Sequence, residues 1–180
     1  MATLVSRSEY FVAAIAILST DGYGSLKLAP LCKYLKVTTG SFYNYFANWQ
    51  EFKTELLQVW LDERTLQLVE MANTEAEPLR RLHMLVEFST NLPHRAESAI
   101  RAWSHTDPEV REVQAMVDRQ RYSVVLGAIS GILGDEVLAE QFAHLGLYIL
   151  TGYEQLEPPQ DVAYLRWSLN RIIEDIERLL

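Results

Sequence analysis

Apolar residues return at three- and four-residue steps along almost the whole chain, and no stretch alternates as a half-buried strand must. That periodicity confines the fold to helices. Residues 8–20 set Phe11, Ala14, Ile15 and Leu18 on one stripe, and Gly22 follows where a left-handed cap is cheap. Further helices are expected at 28–35, 39–45, 49–73, 76–90 and 95–105, then from Pro108 to Gly131–Gly134, and at 135–155 and 160–179. Asn48 is a good N-cap for the fourth of these, with Glu51 at the third helical position. Asn91-Leu92-Pro93 and Glu157-Pro158-Pro159 break the chain, and Asp107-Pro108 starts a helix with a cap and a first-turn proline. The expected fold class is all-α with about nine helices.

The stretch Leu26–Phe46 carries the most specific chemistry. Two short helices joined by Lys36, Val37 and Thr38 make a helix-turn-helix. Leu28, Leu31, Leu35, Val37, Phe42 and Phe46 can pack this pair on the first helix. Left for solvent are Thr38, Thr39, Ser41, Asn44 and Tyr45, with Lys36 nearby. Hydroxyls, an amide, a phenol and an ammonium can bond phosphates and base edges. The N–H groups at the helix start can meet a phosphate. Gly40 allows close backbone approach, and a short helix fits the major groove.

Val37, Thr38, Gly40, Ser41, Phe42, Tyr43, Tyr45 and Phe46, following a helix and an Asp-Gly turn, resemble the tetracycline-repressor-like (TetR) family over about residues 8–60. Ala99–Val110 also resembles some members. The resemblance implies an N-terminal three-helix DNA-binding domain, 1–48, and a helical ligand-binding and dimerisation domain, 49–180. It implies DNA contacts from Thr38, Thr39, Ser41, Tyr43 and Asn44, with Tyr43 and Tyr45 on phosphates. Lys27, Lys36 and Gly40 complete the expected DNA-binding set. The chain departs from the family pattern in three places. Lys36 replaces the turn glycine and must adopt a left-handed or adjusted backbone. Trp49 replaces a lysine expected on phosphate. Lys27 and Ala29 replace a threonine and an arginine, with Pro30 close behind.

Charge qualifies this reading. The 180-residue chain has a net charge of −8, which does not advertise nucleic-acid binding. Residues 1–48, however, hold Arg7, Lys27, Lys33 and Lys36 against Glu9 and Asp21. That is +2, leaving −10 for the remainder. Such a distribution suits contact with DNA through one end. The single cysteine, Cys32, reads as a small core residue and fits a reducing compartment. The start of the chain lacks the pattern of a signal peptide and no apolar run reaches membrane length, so a cytoplasmic protein is expected.

The last two helices show Leu138, Phe142, Leu145 and Ile149, and Leu165, Leu169, Ile172 and Ile176, on single stripes. Leu147, Tyr148, Tyr164, Trp167 and Ile173 lie off them. A helix apolar on several faces must bury several faces, and a two-fold partner is the simplest cover. The expected homodimer interface is Phe142, Leu145, Tyr148, Ile149, Leu165, Trp167, Leu169 and Ile173. A central place in a monomer core is the alternative. Candidates for an effector pocket are Trp60, Met84, Phe88, Trp103, Met116, Tyr122, Phe142, His144 and Tyr148, although residues of these types at helical spacing are more often plain core.

The histidines His83, His94, His105 and His144 form no helical metal motif, no phosphate loop or nucleophile elbow occurs, and no cofactor is implied. An enzyme reading has no positive support. The expected function is a transcriptional regulator, a repressor by resemblance, that binds a palindromic operator as a homodimer and is modulated by a small apolar or aromatic ligand. The alternative is a degenerate helix-turn-helix protein that works through protein–protein contact without sequence-specific DNA binding.

Overall fold

The computed structural model describes residues 5–180, which form ten α-helices and no strand. These are α1 (Arg7–Asp21), α2 (Leu28–Leu35), α3 (Thr39–Tyr43), α4 (Trp49–Leu61), α5 (Gln67–Thr74), α6 (Pro78–Thr90), α7 (His94–Ser104), α8 (Pro108–Ser130), α9 (Glu136–Gln155) and α10 (Val162–Glu177). No helix among the described residues is long and apolar enough to cross a membrane.

The caps expected at Asn48 and Asp107 are present, and Asp135 caps a third helix. Asn48 Oδ1 accepts from the Glu51 amide at 2.9 Å, and Glu51 Oε2 accepts from the Ala47 amide at 2.6 Å. Asp107 Oδ1 accepts from the amides of Glu109 and Val110, and Asp135 Oδ1 from that of Leu138. Each bond satisfies an amide with no partner inside its helix. Gly22, at φ 74°, ends α1. The buried stripe of α1 is Tyr10, Ala13, Ala14, Ile17 and Leu18, turned from the expected one, so Phe11 and Ile15 sit at its margin.

One expected helix, 49–73, is two. Asp62–Leu66 forms a π-turn between α4 and α5. Buried positions here recur every four residues, at Leu57, Leu61 and Thr65. On a 3.6-residue helix such a stripe drifts by about 40° per step. A wider turn, with more residues per revolution, removes that drift.

The chain divides into two compact units, Met1–Asp62 with Pro93–Ala115, and Glu63–Leu92 with Met116–Leu180. In the first, α1 packs against α2, α4 and α7. In the second, α10 packs on α6 and α9, and α5 on α6. The second core is aliphatic, built on Leu82, Val86, Ile129, Leu165, Leu169 and Ile176, with Ala139 and Ala143 of α9 fully buried.

Within the first unit a half-buried ion cluster ties α4 to the start of α8. Lys53 Nζ lies 2.8 Å from both Asp107 Oδ2 and Glu109 Oε2, and Gln50 and Thr54 also donate to Glu109. Burial alone would raise the carboxyls of Asp107 and Glu109. Hydrogen bonds from Lys53 outweigh it and hold both below their ordinary range. Burial likewise disfavours the Lys53 ammonium, and its two carboxylate partners overcome that and raise it. A depressed carboxyl contributes its stability above the unfolded pKa and loses it as pH falls through the folded one. Lys53→Met keeps the stem but strands two carboxylates. It should cost about 2 kcal/mol at pH 7. The difference from the parent chain should shrink as pH falls below about 4, where the carboxyls protonate. Urea unfolding of both chains at pH 7 and pH 3.5 measures this, and an equal gap at both values would contradict it.

Candidate functional site

The helix-turn-helix is built around one side chain. Phe42, fully buried, makes edge contacts with Tyr10 (5.8 Å between centroids) and Phe52 (5.5 Å), and lies 5.0 Å from Phe46. The Tyr10 hydroxyl is buried with no hydrogen-bond partner, and burial pushes the phenol up. Cys32 is buried on α2 as expected, and burial raises its thiol. Trp49, standing where the family pattern suggested a phosphate contact, instead lies over Phe42 (6.0 Å, 29°) and Phe52 (4.9 Å). Its ring supports α3 from behind.

With Phe42 inward, the other side chains of α3 and its turn face out. Thr38, Thr39, Gly40, Tyr43 and Asn44 are exposed, and Ser41 is half-buried. Thr38 Oγ1 accepts from the Ser41 amide at 3.3 Å, so it caps α3 and retains its own proton to donate. Tyr45 is half-buried, its ring 5.7 Å from Tyr10. Lys27 and Lys36 are exposed at the two ends of α2 and, like Lys33, make no ion pair among the described residues. All nine residues expected to touch DNA thus fall on one continuous segment with a polar, cationic outer face.

Lys36 has φ 57° and ψ 38°, the left-handed conformation that the missing glycine requires. Its amide still closes α2 by bonding the Cys32 and Lys33 carbonyls. The turn geometry is kept and the lysine carries the strain.

A second site lies wholly in the second unit. A cavity of about 100 Å³ is lined by aliphatic side chains of α5, α6, α8, α9 and α10, with Phe88 and Phe142 as its aromatic members. Its polar lining among the described residues is Thr65, Ser89 and Arg121. Of the expected pocket residues only Phe88 and Phe142 are there. Trp60 is buried in the first unit, and Trp103 stacks on Tyr23 in that same unit (6.4 Å, 6°). Met84 and Met116 are half-buried off the cavity. Tyr122, His144 and Tyr148 form an outer ring cluster, with 4.6 and 5.8 Å between successive centroids. The walls are instead leucine, valine and isoleucine, which no sequence pattern separates from core.

The expected interface residues also divide. Leu165, Leu169 and Ile173 are buried in the chain's own core, and Phe142 and Ile149 pack against that core. Leu145, Tyr148 and Trp167 remain outside, the last two about two-thirds exposed, joined by Val137 and Tyr164.

No family model and no curated protein matches this sequence. Solved structures match its fold over nearly full length. A transcriptional regulator from Rhodococcus sp. Rha1 has a TM-score of 0.75 at 20% identity, covering 97% of each chain. A TetR transcription regulator from Haloarcula marismortui has a TM-score of 0.74 at 15% identity, covering 94% of this chain and 96% of that one. The regulator FadR from Bacillus subtilis, solved with stearoyl-CoA, has a TM-score of 0.68 at 16% identity, covering 95% and 97%. The fold of this chain is therefore that of the TetR-type transcriptional regulators.

Replacing Lys36 by glycine removes the Cβ from a left-handed position. Lys36→Gly should raise stability by about 1 kcal/mol. Lys36→Ala, which keeps the Cβ, should not. Thermal unfolding of the three chains side by side decides, and equal shifts for glycine and alanine would show that the turn is unstrained.

Proposed function

We propose that this chain is a DNA-binding transcription regulator, a repressor, that acts as a homodimer on a palindromic operator and is released by a small apolar effector. Residues 1–48 read DNA, and residues 49–180 bind the effector and hold the dimer. The observation that carries this reading is the outer face of α3 and its turn. Hydroxyls, a phenol, an amide and Lys36 lie together there, with the one apolar side chain that could spoil it fully buried. Such a face can bond phosphates and base edges together, and α3 is short enough to enter a major groove.

A second copy of the chain suits the apolar residues left outside on the last two helices. Val137, Leu145 and Tyr148 follow one line of α9, and Tyr164 and Trp167 lie on successive turns of α10. Exposed aromatics concentrated on neighbouring helices mark a contact surface. Pairing through them presents two recognition helices to half-sites about 34–36 Å apart. The effector acts by binding one arrangement of the dimer better than the other.

Gel-shift titration of the full chain against DNA from upstream of its own gene, at several salt concentrations, tests the reading. Tyr43→Phe, which loses one hydroxyl contact, should weaken binding about five- to tenfold and leave the salt slope alone. Lys36→Ala should flatten the slope of log affinity against log salt by about 0.9. Tyr148→Glu with Trp167→Glu should give a folded monomer by light scattering and abolish tight binding. Affinity no greater than for random DNA, or a parent chain that is monomeric at micromolar concentration, would overturn the proposal.

A further inference from the structure

Thr65 is the unusual member of the cavity wall. It is 1% exposed, and its Oγ1 is buried without any hydrogen-bond partner. A helical threonine ordinarily turns its hydroxyl back onto a carbonyl of the preceding turn. Thr65 sits within the π-turn Asp62–Leu66 and makes no such bond. The result is an unsatisfied donor and acceptor on a residue that lines a mostly aliphatic space. Groups of this kind call for an explanation, and π-turns are frequent at functional sites.

The surroundings restrict what could satisfy it. Besides Thr65, the polar residues of the described lining are Ser89 and Arg121. No aspartate or glutamate is among the described lining residues, so a cationic ligand would find no counter-charge. Arg121 reaches the lining but already has partners of its own in the fold, so a carboxylate would have to compete for it. The lining is mostly leucine, valine and isoleucine, which suits an alkyl chain.

Resting on the reading of this cavity as the effector site, we propose that it takes a slim aliphatic molecule with one neutral oxygen-bearing head, a hydroxyl or carbonyl, and that Thr65 reads that head by hydrogen bonding. Leu82, Val86, Leu150 and Ile172 cover the tail. The Thr65 hydroxyl, which has no partner in its own chain, bonds the head of the ligand.

Three ligands with the same tail separate the head groups: 1-octanol, octanoate and octyltrimethylammonium, titrated into the full chain by calorimetry, with n-hexane as a headless control followed by thermal shift. 1-Octanol should bind most tightly of the three. Thr65→Val keeps the shape and removes the hydroxyl. It should melt higher than the parent when empty, bind 1-octanol about tenfold more weakly and bind hexane unchanged. Octanoate or the ammonium binding tenfold more tightly than 1-octanol would overturn the head assignment. An unchanged 1-octanol affinity in Thr65→Val would overturn the role of Thr65. If hexane binds and 1-octanol gains nothing over it, this inference falls while the effector site stands. If no compound binds, hexane included, the effector site falls as well, and the DNA titration above remains a separate measure of the regulator reading.

Discussion

A helix of five residues does not hold itself together in water, because the nucleation cost exceeds what one turn of hydrogen bonds returns. α3 exists because Phe42 is driven into a cluster of rings from α1 and α4. Each edge-to-face pair adds about 0.5–1.5 kcal/mol to the area it buries. The same contact decides which way every other side chain of the segment points. With Phe42 pinned, Thr39, Gly40 and Tyr43 can only face outward. The recognition face follows from a packing constraint one residue wide. Trp49 belongs to this account too, since a wall behind α3 fixes its orientation where a lysine would leave that side bare.

The second unit uses apolar surface in three ways at once. Leu165, Leu169, Ile172, Ile173 and Ile176 close the core between α10 and its neighbours. A set facing the same interior lines a cavity bounded by residues of α5, α6, α8, α9 and α10. The outermost set, with Tyr148, Tyr164 and Trp167, is about two-thirds exposed. Empty apolar volume costs packing contacts, and a buried hydroxyl without a partner costs more. Both costs fall beside the π-turn, where a strict α-helix would have carried the stripe out of register. Local consistency is broken where a ligand would repair it.

Much of this was legible in the residues and some was not. Helix boundaries came through because caps and breakers act within a few residues. Asn48, Asp107 and Asp135 cap where their side chains can reach amides two or three positions on. The left-handed Lys36 was legible for the same reason, since a turn of fixed length forces one residue through that conformation whatever its identity. The π-turn was not, because four-residue spacing over two steps looks like an ordinary amphipathic stripe. The cavity was not either. Aromatic and methionine residues drew attention as pocket candidates, yet Trp60 and Trp103 are spent in the first unit. Leucine and valine wall a cavity or fill a core depending on where other helices stop, which is tertiary information. Leu165, Leu169 and Ile173 show that limit in reverse: a stripe reports burial but not against whom.

An acidic chain offering a face to DNA is less contradictory once its carboxylates are paired off. Near the helix-turn-helix, Arg7 bonds Glu55 and lies within reach of Glu51, while its guanidinium stacks over Phe46. Glu9 is taken up in the cap of α1, where bonds from the Ser6 amide and hydroxyl hold it below its ordinary range. Lys53 offsets one of the two charges of Asp107 and Glu109. A cation and the carboxylate it offsets cancel beyond a Debye length of about 8 Å at physiological salt. What a duplex meets at contact distance is then set by Lys27, Lys33 and Lys36 on α2 and its ends. Three cations are a weak electrostatic footprint. In the proposed regulator, affinity would therefore lean on hydrogen bonds from the hydroxyls, phenol and amide of the segment, and on the doubling that a two-fold partner would bring. In such a design, holding α3 rigid matters more than adding charge, and the rings packed behind it serve that end.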